Sequence, residues 1–170
     1  IMPSLVGSEM CIRDRYYTAL NQKRYKRLDK TIEIPEEKAQ FFINYPKSVC
    51  LLVITESWCG DAAQIVPVVH KIAELNPKIT MKLVFRDENE ELMNLFLTNG
   101  GKAIPIVVFL DLEDKVLAHW GSRPSVATKM VEEEKAKNGK LSPEFKEELQ
   151  KWYNQDKGQS ILADLTELLK

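Results

Sequence analysis

The chain has 170 residues, of which 44% are apolar and 29% are charged, and its formal net charge is −1. This composition is typical of one soluble globular domain with a buried core, and it excludes a disordered chain. No segment approaches the roughly 18 consecutive apolar residues of a membrane-spanning helix. We therefore expect neither a membrane nor a nucleic acid among the partners.

Residues 1–15 resemble translated sequencing-adapter sequence of the kind found at the ends of metagenomic genes. We expect this segment to be non-native and exclude it from fold reasoning, together with Cys11, so that the domain covers 16–170. The other two cysteines, Cys50 and Cys59, do not make a disulfide framework. A reducing, cytoplasmic location is therefore the expectation.

A helix is predicted over about 16–30, followed by a short helix over 35–43 with a proline at its first turn. The first helix contains the basic stretch 23–27, which includes a tyrosine. Such a patch could contact phosphates, but we favour a solvated helix face whose charge is balanced by acidic residues elsewhere.

The apolar run Val49–Ile54 has no polar alternation, which predicts a strand buried on both faces. A helix then begins at Gly60 and ends before Asn76-Pro77, because its apolar residues recur at helical spacing. Pro67 lies inside this helix and predicts a kink.

A second strand is predicted over 79–85, followed by a helix to about Leu97. Two further strands are predicted over 106–110 and 115–120. They flank a turn and are therefore expected to form a hairpin. The rest of the chain is predicted to form helices, at 126–137, 142–153 and 160–169. The core order is therefore β-α-β-α-β-β-α, with helices added at both ends.

Cys59 lies where the first strand meets its helix, in Trp58-Cys59-Gly60-Asp61-Ala62. The first turn of a helix offers free N–H groups and a positive dipole end, which favour thiolate over thiol. No cysteine follows one turn later, where Ala62 stands, and Cys50 is too far along the strand to form a disulfide. Chemistry at Cys59 is therefore predicted to be monothiol. We expect Cys59 to be partly exposed and Cys50 to be a buried apolar residue.

Four features together resemble the thioredoxin family: Trp58-Cys59-Gly60, Pro67, Ile104-Pro105 and the element order. The resemblance covers about 47–120 and implies a thioredoxin-like α/β fold. That fold has a central mixed four-stranded sheet flanked by helices, with its core at about 47–138. In detail the chain resembles a bacterial group with Trp-Cys-Gly-Asp-Ala, Arg-Asp-Glu-Asn and Gly-Gly-x-x-Ile-Pro.

The resemblance implies that Ile104-Pro105 is a cis-proline loop facing Cys59, where an extended substrate could pair with the backbone. It also implies that Trp58 covers one side of the sulfur and that Gly60 and Asp61 border the substrate. The Asp61 carboxylate stabilises the helix start but disfavours a neighbouring thiolate, so we expect Cys59 to be less acidic than the helix dipole alone suggests.

Arg86 and Asp87 end the second strand and are therefore expected near Cys59. Arg86 could offset Asp61 or hold an anionic thiol ligand, or it could form an ordinary strand-end salt bridge with little effect. Arg123, after the last strand, is a weaker candidate for the same role. The two histidines have no metal-ligand spacing, so we expect no metal.

Two departures from thioredoxins bear on function: Ala62 replaces the resolving cysteine, and Val53 replaces a buried proton-handling aspartate. We expect thiol–disulfide exchange through Cys59, completed by an external thiol, with protein or low-molecular-weight thiols and disulfides as partners and no cofactor. One alternative is a non-catalytic peptide-binding or chaperone-like module. A less favoured one is a carrier of an iron–sulfur cluster, as in monothiol glutaredoxins.

Overall fold

The structure is a computed structural model that describes residues 12–170. The proposed non-native segment 1–15 therefore falls almost entirely outside the described residues, and so does Cys11. The elements follow in the order α1 (Ile12–Thr31), α2 (Glu36–Ile43), β1 (Val49–Thr55), α3 (Gly60–Glu74), β2 (Ile79–Phe85), α4 (Glu90–Asn94), β3 (Ile106–Leu110), β4 (Val116–Gly121), α5 (Ser125–Asn138), α6 (Pro143–Asp156) and α7 (Gln159–Leu168).

The four strands form one mixed sheet in the order β2-β1-β3-β4. β1 and β2 are parallel, whereas β3 is antiparallel to both β1 and β4. The parallel pair is joined through α3, and the antiparallel pair closes as a hairpin. The predicted thioredoxin-like α/β fold, with a mixed four-stranded sheet flanked by helices, is confirmed. No helix in the described part of the chain is long and apolar enough to cross a membrane.

α4 is shorter than predicted, because the helix was expected to reach about Leu97 and ends at Asn94. The chain leaves the helix to form a small bridge between Thr98 and Gly101, and Gly100 adopts a positive φ of 77° there. A glycine takes this conformation without the strain that a side chain would add. The side chain of Phe96 is nevertheless buried after the helix has ended.

The two faces of the sheet are buried unequally, and this overturns the prediction for Cys50. Leu51 and Val53 share one face and are buried, whereas Cys50 and Leu52 point to the other face and are only partly buried. Leu110, the cross-strand partner of Cys50, is also only partly buried. The prediction of a buried Cys50 is therefore wrong, because this end of the sheet face is incompletely covered.

Gly121 ends β4 against the loop that precedes β3. Its φ is 135°, and a Cβ added there would lie 2.3 Å from the carbonyl oxygen of Pro105. No real Cβ contact is that short, so the backbone of one of the two segments would have to move. The absence of a side chain at Gly121 therefore lets β4 approach the loop that holds Pro105.

We predict that Gly121→Ala lowers the free energy of unfolding by about 2 kcal/mol or more, through strain and the clash with Pro105. Gly139→Ala is the matched control, because Gly139 also has a positive φ of 71° but nothing within 4 Å of an added Cβ. Urea unfolding of both variants measures the difference. Equal losses of stability in the two variants would contradict the close packing at Gly121.

Candidate functional site

Cys59 is the N-cap residue of α3, with an extended backbone at φ −77° and ψ 119°. Its Sγ accepts a hydrogen bond from the backbone N–H of Ala62 at 3.5 Å and donates one to the carbonyl oxygen of Ile104, also at 3.5 Å. The residue is only 9% exposed. The prediction of a partly exposed Cys59 is therefore wrong.

The peptide bond between Ile104 and Pro105 is cis, as predicted. Both residues are buried immediately before β3, and the hydrogen bond from Cys59 fixes the Ile104 carbonyl beside the sulfur. The loop therefore lies against Cys59 at the carboxyl end of β1, where open α/β sheets bind their ligands.

Burial, followed by the negative charge of Asp61, raises the pKa of the Cys59 thiol to about 11. The N–H groups of Ala62 and Asp61 and the charge of Arg123 act in the opposite direction but are weaker. Desolvation thus prevails over the favourable helix N-terminus. Cys59 is therefore less acidic than the helix dipole alone suggests, as predicted. The sequence analysis named Asp61 as the cause, but Asp61 is the second largest cause, after burial.

Asp61 is held by two partners from distant parts of the chain. Arg123 Nη2 lies 2.8 Å from Asp61 Oδ2, and the Tyr153 hydroxyl donates to Asp61 Oδ1 at 2.8 Å. The side chain of Asp61 is only 12% exposed. Burial is also the largest cause that raises the pKa of Tyr153, with the charge of Asp61 next. Of the two arginines considered as partners of Asp61, the weaker candidate, Arg123, forms the pair.

Arg86 instead stacks on Trp58, with its guanidinium carbon 5.0 Å from the ring centroid. Its Nε donates to Asp87 Oδ1 at 2.8 Å and its Nη1 donates to the Lys102 carbonyl at 3.2 Å. Arg86 therefore connects the Trp58 ring to the end of β2 and to the loop before Pro105. A cation over a tryptophan face is a favourable contact, and it holds the ring in place beside Cys59.

A buried glutamate that the sequence analysis did not single out connects the loops that follow β1 and β2. Glu56 is 9% exposed, and its Oε1 accepts the backbone N–H of Asp87 at 2.9 Å. Burial raises the pKa of the Glu56 carboxyl. The hydrogen bond ties the loop after β2 to the loop before Cys59.

Two helices outside the core, α1 and α6, pack near Cys59. The sequence analysis did not predict this packing. From α1, Asn21 Nδ2 donates to the Ser57 carbonyl at 3.1 Å, and Thr18 Oγ1 lies 3.0 Å from the hydroxyl oxygen of Ser57. From α6, Gln150 Oε1 accepts a hydrogen bond from Gln64 at 2.9 Å. These contacts hold α1 against the loop before Cys59 and hold α6 against α3, the helix that Cys59 caps.

The two histidines take no part in this arrangement. His70 Nδ1 lies 3.4 Å from Asp29 on α1, and the His119 ring lies 5.3 Å from that of Phe96. Within residues 12–170 no three His, Cys, Asp or Glu side chains are grouped where they could hold a metal ion.

The fold and the site together define a thioredoxin-fold protein with one cysteine at the N-terminus of α3, beside a cis proline. The family model described as thioredoxin matches residues 14–138, which is most of the chain. The chain therefore belongs to the thioredoxin family.

Two solved structures share the fold over nearly the whole chain. One is a protein of unknown function from Pseudomonas aeruginosa, with a TM-score of 0.68, 17% identity and coverage of 96% of this chain and 92% of that one. The other is an HIV epitope scaffold, with a TM-score of 0.67, 19% identity and coverage of 96% and 93%. At such identities the likeness concerns the fold alone. No curated protein matches the sequence.

Proposed function

We propose that this protein carries out thiol–disulfide exchange as a monothiol, through Cys59. In the first step the Cys59 thiolate attacks a substrate disulfide, forms a mixed disulfide and releases one thiolate, which takes up the proton that Cys59 has lost. In the second step an external thiolate attacks the mixed disulfide and restores Cys59. Disulfide bonds and protons balance over the cycle, and no other oxidant or reductant is needed.

The observation that carries the proposal is the position of the sulfur, 3.5 Å from the Ile104 carbonyl and next to Pro105. The carbonyl can accept an N–H of an extended segment in place of the thiol, which is how a strand adds to an exposed backbone. A disulfide held in this way would lie across Cys59. The Trp58 ring, fixed by Arg86, would form an apolar wall beside it.

The need for an external thiol follows from the residues around the sulfur. Ala62 occupies the position one turn along α3 and is 1% exposed, so it offers no thiol and little free space. Cys50 lies at the other end of β1, where it pairs with Leu110 and Thr80. We therefore propose low-molecular-weight or protein thiols as the partners that complete the cycle.

A second candidate function is a binding module that uses the groove beside Pro105 without chemistry at Cys59. The burial of Cys59 and its pKa of about 11 favour this candidate, because a neutral, covered thiol is a poor nucleophile at pH 7. The two candidates differ in one measurable property, namely whether a disulfide forms an adduct with Cys59.

Mass spectrometry after incubation with glutathione disulfide separates the two. A single adduct on the Cys59 peptide, reversed by added thiol, is expected for the exchange protein. Cys59→Ser should abolish the adduct, and the matched variant Cys50→Ser should retain it. An intact protein that forms no Cys59 adduct even at pH 9 would favour the binding module.

We predict that the unmodified protein is nearly inactive in insulin reduction, a dithiol reaction, and that Ala62→Cys gains measurable activity. The Ala62 N–H already donates to Cys59 Sγ at 3.5 Å, so a thiol on the same residue starts close to the sulfur. The gain should be partial, because Ala62 is tightly packed and a larger side chain strains the core. Strong insulin reduction by the unmodified protein would refute the monothiol mechanism.

A further inference from the structure

Arg24 on α1 is a half-buried cation that faces the Cys59 loop. Its Nη1 donates to Asn21 Oδ1 at 2.9 Å, and it has no carboxylate partner within residues 12–170. Burial lowers the pKa of the guanidinium, and the nearby charge of Arg27 lowers it further. The protein thus holds an uncompensated positive charge at this position, with most of its five N–H donors unused.

Gln150 on α6 directs a second donor to the same place. Its Oε1 accepts a hydrogen bond from Gln64, which leaves the two N–H groups of Nε2 without an acceptor among the described residues. A Cβ built on Gly60 would lie 3.1 Å from Gln150 Nε2 and 3.8 Å from Arg24 Nη1. Donors from α1 and α6 therefore meet in front of the residue that follows Cys59.

The other two arginines beside the site are already neutralised. Arg123 pairs with Asp61 at 2.8 Å, and Arg86 pairs with Asp87 at 2.8 Å. Of these three arginines, Arg24 is the one without a carboxylate partner among the described side chains, so its charge is left for a ligand. A planar guanidinium with free donors suits a carboxylate, which it can bind through two parallel hydrogen bonds.

We propose that Arg24 and Gln150 form a subsite for a carboxylate of the disulfide that Cys59 attacks, so that the preferred substrates are anionic small-molecule disulfides. This inference rests on the proposed exchange function and specifies its substrate class. The bound carboxylate would lie on the solvent side of Arg24 and Gln150, both of which are partly exposed, and would hold the disulfide beside Cys59. Cys59 then forms a mixed disulfide with one half of the molecule, and the other half leaves as a thiolate.

The test compares two small disulfides, dithiodipropionate with two carboxylates and the neutral 2-hydroxyethyl disulfide. Rates of adduct formation at Cys59 are measured by mass spectrometry for the unmodified protein and for Arg24→Gln. The ratio of the two rates is the readout, because a general change in Cys59 reactivity cancels from it. Lys23→Gln is the matched control, since Lys23 is an exposed cation on the same helix.

We expect Arg24→Gln to lower the ratio of the two rates about fivefold at low salt, as the loss of a partly screened charge-assisted hydrogen bond would. Lys23→Gln should leave the ratio unchanged, and Arg24→Lys should restore part of it. The proposal is overturned if Arg24→Gln reacts with both disulfides but keeps the ratio of the unmodified protein. It is also overturned if a peptide disulfide flanked by glutamates depends on Arg24 and dithiodipropionate does not.

Failure of the exchange function itself would be seen separately, as the absence of adducts with either disulfide. In that case the subsite is tested by NMR titration with S-methylglutathione, which carries carboxylates and cannot exchange. Binding weakened by Arg24→Gln but not by Lys23→Gln would keep the anion subsite. Equal or absent binding in all three proteins would overturn it.

Discussion

At pH 7.5, Cys50 is expected to react with iodoacetamide before Cys59, although Cys59 is the residue that we propose carries the chemistry. Cys50 is partly exposed, whereas Cys59 is buried. A pKa raised from 9.0 to about 11 lowers the thiolate fraction of Cys59 roughly a hundredfold. A more basic thiolate is a stronger nucleophile, and this offsets about tenfold of the hundredfold loss in reaction rate. We therefore expect Cys59 to react about tenfold more slowly than an unperturbed thiol, before any effect of its burial.

Peptide-level mass spectrometry of the native protein gives the order of labelling. In Cys50→Ser, the labelling rate of the Cys59 peptide should rise about tenfold per pH unit and level off near pH 11, the pKa of its thiol. The denatured protein is the control, because Cys50 and Cys59 should then react alike. Faster labelling of Cys59 than of Cys50 at pH 7.5 would show that the cover formed by α1 and α6 opens readily.

Slow alkylation is compatible with the proposed exchange, because iodoacetamide has no means of binding at the site. A disulfide held against Ile104 and Arg24 would react as a bound neighbour rather than as a molecule in solution, and correct positioning can offset several orders of magnitude in rate. The arrangement thus favours substrates that fit the site and protects the thiol from those that do not.

Much of the fold could be predicted from the sequence because its signals are local. The apolar run Val49–Ile54 and the run 106–110 were predicted to be strands, and both lie where predicted, although one face of the first strand is only partly buried at Cys50 and Leu52. Ser142 followed by Pro143 marks a helix start, and the structure has the Ser142 hydroxyl accepting the N–H of Phe145 at 3.1 Å. The cis bond before Pro105 followed from the resemblance to thioredoxins, which places the loop.

The parts of the site that could not be predicted depend on contacts between distant segments. Both Arg86 and Arg123 follow strands, and nothing in their local sequence says that Arg123 reaches Asp61 while Arg86 stacks on Trp58. Neither does the spacing of α1 show that Asn21 bonds to Ser57. The exposures of the two cysteines were predicted in the wrong order for the same reason, because burial depends on what packs above a residue.

Asp61→Asn is expected to speed the alkylation of Cys59 about threefold at pH 7.5. The charge of Asp61 is the second largest cause that raises the pKa of the thiol, after burial, and the substitution removes it. It also frees Arg123 from its 2.8 Å ion pair, which leaves an uncompensated cation that favours the thiolate. Each pKa unit lost gives about ten times more thiolate well below the pKa, and the weaker nucleophilicity of the less basic thiolate offsets about threefold of this gain.

Asp87→Asn is the matched control, because Asp87 is a carboxylate at the same edge of the sheet but pairs with Arg86 and is not among the charges that act on Cys59. It should leave the alkylation rate unchanged. Arg123→Gln should act in the opposite direction to Asp61→Asn, since it leaves the Asp61 charge without its partner and raises the pKa of Cys59 further.

Opposite effects of two substitutions on one ion pair would separate electrostatics from loosened packing. Either variant removes the contact between Asp61 and Arg123, so a purely structural effect would expose Cys59 and speed its alkylation in both. Only the charge argument predicts that Asp61→Asn speeds the reaction while Arg123→Gln slows it. If both variants react faster by similar factors, the pair acts by holding the cover over Cys59 rather than by keeping its thiol protonated.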